Sequence, residues 1–292
     1  KSGNSGLKSF RDRSYMLMEA EKGREHAVRR AAVYNQLRVC LLSVKYNIMR
    51  EMINKVTFLT NIIFMMLNNG SFLIQWAILF RLKEDIGGYG FREVMVLWGL
   101  SASSFGLSHV LFARVFSLPE LIINGKLDAY LVLPKNVLLG VMTSSTRTSA
   151  IGDVAYGLIM ICLSGFGIGA ILLFLLFTVT GAVIITAFAL LMGSLSFWFV
   201  RMEIFGNQMQ NVLISFATYP DGIFKGGVKY LLYYIIPTGM MVYLPVHVIT
   251  DFNPKSLLMV LGYALGLSVL AVGVFYRGLR RYSSGNLMEA RL

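Results

Sequence analysis

Charge is scarce in this chain, and cysteine and histidine are scarcer still. Two cysteines, Cys40 and Cys162, are too few and too far apart for a disulfide framework or a metal site. His26, His109 and His247 are scattered along 292 residues and form no ligand set. The sequence holds no Gly-x-x-x-x-Gly-Lys-Ser/Thr run, so ATP chemistry is not expected of this chain. An intramembrane enzyme would draw on Asp153, His109 and the tyrosines, but no base and nucleophile stand at a useful spacing. Charged residues make up 14% of the chain against 56% hydrophobic, which lies outside the range of soluble domains. What fills the space is apolar: six long runs lie between about residue 56 and residue 279, each sufficient to cross a bilayer core of roughly 30 Å. The expected architecture is an all-α polytopic integral membrane protein.

The formal charge of +12 does not describe a nucleic-acid surface, because the basic residues form no patch and no motif accompanies them. Twelve of the 27 Lys and Arg fall in residues 1–55, against five acids, which places that region on the cytoplasmic side by the positive-inside rule. With both termini inside, basic residues near the spans number twelve inside and six outside, which favours an even count of spans. Residues 1–30 are polar and charged, so insertion is expected to depend on the first span itself.

Along the chain, 1–30 reads as a polar cytoplasmic segment. Residues 31–55 read as an amphipathic connecting helix, since Val33, Leu37, Leu41, Val44, Ile48 and Met52 recur every three or four positions. A soluble helix packed on a partner is the competing reading. A membrane domain follows over 56–282, with spans near 56–80, 93–115, 137–163, 167–199, 204–219 and 257–279, and a cytoplasmic tail over 283–292. Residues 221–250 carry Lys225, Lys229, Pro237 and Pro245 in a Tyr-rich apolar stretch, which predicts a re-entrant hairpin rather than a seventh crossing. The glycines of Gly165-Phe166-Gly167-Ile168-Gly169 predict a turn between spans, and Gly262-Tyr263-Ala264-Leu265-Gly266 predicts close helix packing in the last one, with a dimer interface as the competing reading.

Polar residues inside the spans are the first candidates for function, because each is costly there. Asn68, Asn69 and Gly70 interrupt the first span, and either line a pathway or bond a neighbouring helix. Arg147 and Asp153 share the third span; six residues rotate a helix by about 600°, so the two are not expected to pair directly. They either fix packing or serve passage or gating, and a proton relay through Asp153 or Arg147 would make the chain a proton-coupled transporter. The segment 117–134 is the strongest signal. It starts helix-like after Ser117 with Pro119, Glu120 and Leu121, breaks at Asn124-Gly125, resumes through Lys126, Leu127, Asp128, Tyr130 and Leu131, and stops at Pro134. A short, partly apolar helix between two spans is either a docking element or an interfacial anchor.

Several pieces occur together in a fixed order: Gly125-Lys126-Leu127-Asp128-Ala129-Tyr130-Leu131-Val132-Leu133-Pro134, Gly152-Asp153, Phe197-Trp198-Phe199, Tyr219-Pro220 with Ile223-Phe224, Ile236-Pro237, Tyr243-Leu244-Pro245 and Arg281-Tyr282-Ser283-Ser284-Gly285. Over roughly residues 30–287 the chain resembles the permease subunits of type-2 ATP-binding cassette (ABC) exporters, and looks most like the multidrug-type branch whose ATPase is a separate chain. The resemblance implies ATP-driven export of an amphiphilic or apolar substrate from a bacterial cell membrane. It implies a second permease, identical or homologous, and two ATPases that carry the ATP and Mg. It also implies a coupling helix over Pro119–Pro134. Tyr219, Pro220, Phe224, Pro237 and Pro245 are pathway or gating candidates, and the hairpin from Asp221 to Thr250 would close the outer mouth. No catalytic residue is implied in this chain.

Overall fold

The structure, a computed structural model, describes residues 34–199 and 202–283. The expected polar segment 1–30, the first residues of the connecting helix and the tail beyond 283 lie outside the described residues. The chain divides into two compact units, Lys1–Ser43 and Val44–Leu292. Residues 34–43 of the first are helical, as are 44–51 of the second.

Helix α1 (Lys55–Leu82) is started by Asn54, whose side chain accepts from the Thr57 amide at 3.2 Å. It runs unbroken through Asn68-Asn69-Gly70, contrary to the expected interruption. Ser71 returns its hydroxyl to the Asn68 carbonyl at 2.7 Å and Asn69 reaches sideways to another helix, so the backbone ladder survives the polar residues. Of its 28 residues only Asn69 and Trp76 are buried, leaving most of α1 to face lipid or another chain.

Helix α2 (Phe91–Phe112) is the opposite case, buried continuously from Val94 to Ser104. A short 3-10 turn, Ala113–Ser117, carries it into α3 (Leu118–Ile123) and α4 (Asp128–Leu131). The expected third span is two helices, α5 (Val137–Met142) and α6 (Ile151–Leu163). The hydroxyls of Thr143 and Ser144 bond back to the carbonyls of Leu139 (2.8 Å) and Val141 (2.9 Å), and α5 stops there. The extended residue Arg147 then gives its amide to the His109 carbonyl at 3.0 Å. His109 lies in the last turn of α2, where carbonyls lack helical partners, so each element satisfies the other. Non-helical backbone at membrane depth is stable when covered in this way.

Helix α7 (Ile168–Ser194) follows a turn containing Gly165 and packs against α2 and α11 (Pro254–Leu279). Helix α8 (Met202–Phe216) leads to the hairpin made by α9 (Gly227–Tyr234) and, after a fully buried π-turn at Gly239–Tyr243, α10 (Leu244–Thr250). The chain bends by 72° between the two arms. Among the described residues four helices have the length and hydropathy to cross a membrane: α1, α2 with its extension to Ile123, α7 with its extension to Phe197, and α11. The bent pair makes a fifth if its arms count as one span. The divided third segment and the 15-residue α8 fall short of that length.

Helix contact at the centre depends on small residues. A Cβ added at Gly157 of α6 would overlap the Ser103 hydroxyl and the Gly99 carbonyl of α2, and one at Gly106 would sit 2.6 Å from the Ala150 carbonyl. The Gly262 and Gly266 pair expected to pack the last span meets nothing within 4 Å, and both residues are exposed. Spacing alone did not reveal which glycine face would meet a neighbour.

Candidate functional site

Between α1, α2, α6 and α8 lies a cleft of about 470 Å³. Its walls are aromatic: Phe72 stacks on Trp98 with ring centres 5.1 Å apart, and Trp76 meets the edge of Tyr219 at 6.0 Å. Asn69 and Asp153 line the same space. Asn69 Nδ2 donates to Asp153 Oδ1 at 2.6 Å, joining the first and third expected spans through two residues 84 positions apart. Asp153 is 2% exposed, and its Oδ2 has no hydrogen-bond partner among the described residues. Asn68 is exposed and also lines the cleft.

A second, more polar cavity of about 330 Å³ adjoins the first, and Phe105 and Ile214 line both. Arg147 opens into this one, with His109, Pro119, Glu120, Asn207, Gln210 and Asn211. Arg147 and Asp153 therefore line different chambers and form no ion pair with each other; the cause is not rotation along one helix, since Arg147 stands in the extended break before the helix that carries Asp153. His109 is clamped between the rings of Phe105 and Phe116, each 3.9 Å away, and its Nδ1 donates to the Phe105 carbonyl at 3.0 Å.

The segment 117–134 sits below the second cavity, at the end of the bundle remote from the hairpin. Leu118, Pro119, Leu121, Ile122 and Leu127 are buried. Leu118, Leu121, Ile122 and Leu127 cluster with Val115, Leu138, Val141, Ala187, Leu190, Ala271 and Phe275, so the segment is seated on residues of α7 and α11. Gly193 of α7 is what admits it, since a Cβ there would press on Leu118 at 3.2 Å. Gly125, at φ +67°, makes the turn between α3 and α4, a conformation that strongly favours glycine. Glu120 and Lys126 close that turn from outside at 2.6 Å. Tyr130 bonds Ser144 at 2.9 Å, Asp128 faces the Tyr282 hydroxyl, and Asn136 bonds Tyr276 of α11 at 2.7 Å. The opposite face is open: Asn124, Lys126, Ala129, Leu131, Val132, Leu133 and Pro134 are exposed.

At the other end stands a buried carboxylate whose role the sequence did not reveal. Asp221, 3% exposed, accepts from the hydroxyls of Tyr89 (2.9 Å) and Tyr233 (3.0 Å) and pairs with Lys229 at 2.8 Å. His247 Nε2 lies 3.3 Å from its Oδ1. Burial pushes the Asp221 carboxyl up, but hydrogen bonds from His247, Lys229 and Tyr89 outweigh it and hold the group below the ordinary carboxylate range. Burial, followed by the Asp221 charge, pushes the Tyr89 phenol up, so it remains a donor. This cluster fastens the loop 83–90 to the hairpin, with Gly222 packed directly on the Gly87 backbone. Pro220 is buried at the start of that turn, and Phe224 packs on Phe216 at 5.1 Å. Pro237 and Pro245 are buried on either side of the π-turn, where the Tyr243 hydroxyl donates to the carbonyl of Phe216 at the end of α8. The one cue in the sequence was an acid standing directly after Tyr219-Pro220 in an apolar stretch.

An all-α membrane bundle with a mixed cleft at its centre, a half-buried segment at one end and a latched hairpin at the other belongs to the class of polytopic transport subunits. Residues 52–285 match the family described as ABC-2 family transporter protein, and the chain belongs to that family: it is an integral membrane permease component of an ABC transporter. No curated protein and no solved structure gives a significant match.

Proposed function

We propose that this chain forms half of the translocation pathway of an ABC exporter of the multidrug type, carrying amphiphilic or apolar molecules out of a bacterial cell. Two permeases, identical or homologous, face each other across the exposed side of α1, and two separately encoded ATPases bind ATP and Mg beneath them. Both termini lie on the cytoplasmic side, together with 117–134.

The observation that carries this reading is the two-sidedness of 117–134. Its buried face is fixed to α7 and α11, while its Leu131–Pro134 face is free to receive another chain. A push on that face reaches α7 and α11 through the packed cluster, and α5 through Tyr130 and Ser144. Closure of the ATPases would thereby tilt the spans around the cleft, and release of the hairpin latch would open the far side.

The test is to replace Asp128 by Arg and Leu131 by Trp in the intact complex, and to measure ATP hydrolysis and export in parallel. Hydrolysis should persist in both variants while export falls by at least tenfold. Unchanged export by both would remove 117–134 from the coupling path. Export that follows the proton gradient without ATP would instead favour the Asp153 relay.

A further inference from the structure

We propose that the aromatic cleft binds a lipophilic organic cation, with Asp153 as its anionic anchor; the inference rests on the permease reading and names the substrate class of its cleft. Among the residues lining the cleft, Asp153 is the only one that ionises apart from the phenol of Tyr219, and no Lys or Arg is present. One carboxylate oxygen is taken by Asn69, which fixes the side chain in position. The other has no partner among the described residues, although the side chain is almost wholly buried. An ionised carboxylate at this site is costly without a counter-charge, and a cationic ligand that supplies one relieves that cost.

The surrounding walls suit the same ligand. Phe72, Trp76, Trp98 and Tyr219 present aromatic faces and edges, and π faces attract cations within about 6 Å. The volume of about 470 Å³ falls in the range of roughly 300–1,000 Å³ typical of sites for drug-sized molecules. An anion would be repelled by the ionised carboxylate, whereas a cation supplies its counter-charge. Arg147 does not oppose a cation from within the cleft, because it lines the adjoining cavity.

The test uses the complex purified with its ATPase in lipid nanodiscs and measures equilibrium binding of radiolabelled tetraphenylphosphonium. Tetraphenylborate, of the same shape and opposite charge, is the competitor. Saturable binding of the cation is expected, with tetraphenylborate competing at least tenfold less well than unlabelled cation. Asp153→Asn should weaken cation binding at least tenfold. Trp76→Leu, which leaves the Asn69–Asp153 pair in place, should weaken it severalfold and keeps the test open if Asp153→Asn does not assemble.

Absence of saturable binding, equal competition by the anion, or undiminished binding by Asp153→Asn would overturn the proposal. ATP hydrolysis measured in the same sample separates the two claims. A hydrolysing complex with charge-blind binding sinks the cation site alone. Charge-selective binding by a chain that carries no ATPase sustains the site and sinks the permease reading.

Discussion

Asp221→Asn should loosen the hairpin end of the molecule more than any other single change there, and the structure sets the scale. The carboxylate is 3% exposed and receives two tyrosine hydroxyls at 2.9 and 3.0 Å. Hydrogen bonds to a charged group contribute about 1.5–3 kcal/mol each. Lys229 and His247 approach the same group, but their side chains are 46% and 50% exposed, so each contributes closer to the ~0–1 kcal/mol of a surface ion pair. An asparagine keeps one acceptor oxygen and turns an NH₂ towards the donors that the other oxygen had satisfied, at a cost of about 3–5 kcal/mol. Tyr89→Phe removes a single charge-assisted bond and should cost about 1.5–3 kcal/mol. Lys229→Met should cost less than about 1 kcal/mol. Thermal unfolding in nanodiscs, with hydrogen exchange read over 83–90 and 221–250, ranks the three variants. If Lys229→Met were as damaging as Asp221→Asn, the tyrosine latch would be the wrong account of that end.

The same cluster has a defined pH response: a carboxyl whose pKa is depressed by its partners stabilises the fold while ionised, so its contribution is complete above about pH 4 and is lost as the pH falls further. Hydrogen-exchange protection of 221–250 attributable to Asp221, measured as the difference from Asp221→Asn, should decline as the pH falls below about 4. Gly157→Ala should destabilise the bundle by about 1–3 kcal/mol through overlap with Ser103 and Gly99, whereas Gly262→Ala should lie within about 0.5 kcal/mol of the parent in unfolding measurements. Asn69→Leu removes the one hydrogen bond to the Asp153 side chain among the described residues and should cost about 1–3 kcal/mol, with the loss reduced when Asp153→Leu is added in a double-mutant cycle.

Much of this architecture was legible because it rests on local rules. The apolar runs mark α1, and Pro119, Asn124-Gly125 and Pro134 punctuate the segment 117–134 at the points where the chain turns. Other features depended on partners that local pattern does not specify. The hydroxyl run Thr143–Thr146 was visible, but it breaks a helix here because the His109 carbonyl is placed to receive the Arg147 amide. Asn69 was singled out as polar and costly, yet its partner lay 84 residues away. The Asp221 latch gathers Tyr89 from 132 positions away and Tyr233 from 12, with no shared spacing to announce it. The glycines of α11 and α6 look alike in sequence, and only the packing of α2 decides which of them are indispensable.

The account stands most directly on a mild-detergent purification of the tagged chain from its native membrane, with mass spectrometry of the proteins that come with it. An ABC ATPase recovered in near-equal amount, and lost when Gly125 to Asp128 is altered, is the predicted result. Recovery of the chain alone, intact and monodisperse, would contradict the claim that a separate ATPase drives it through 117–134.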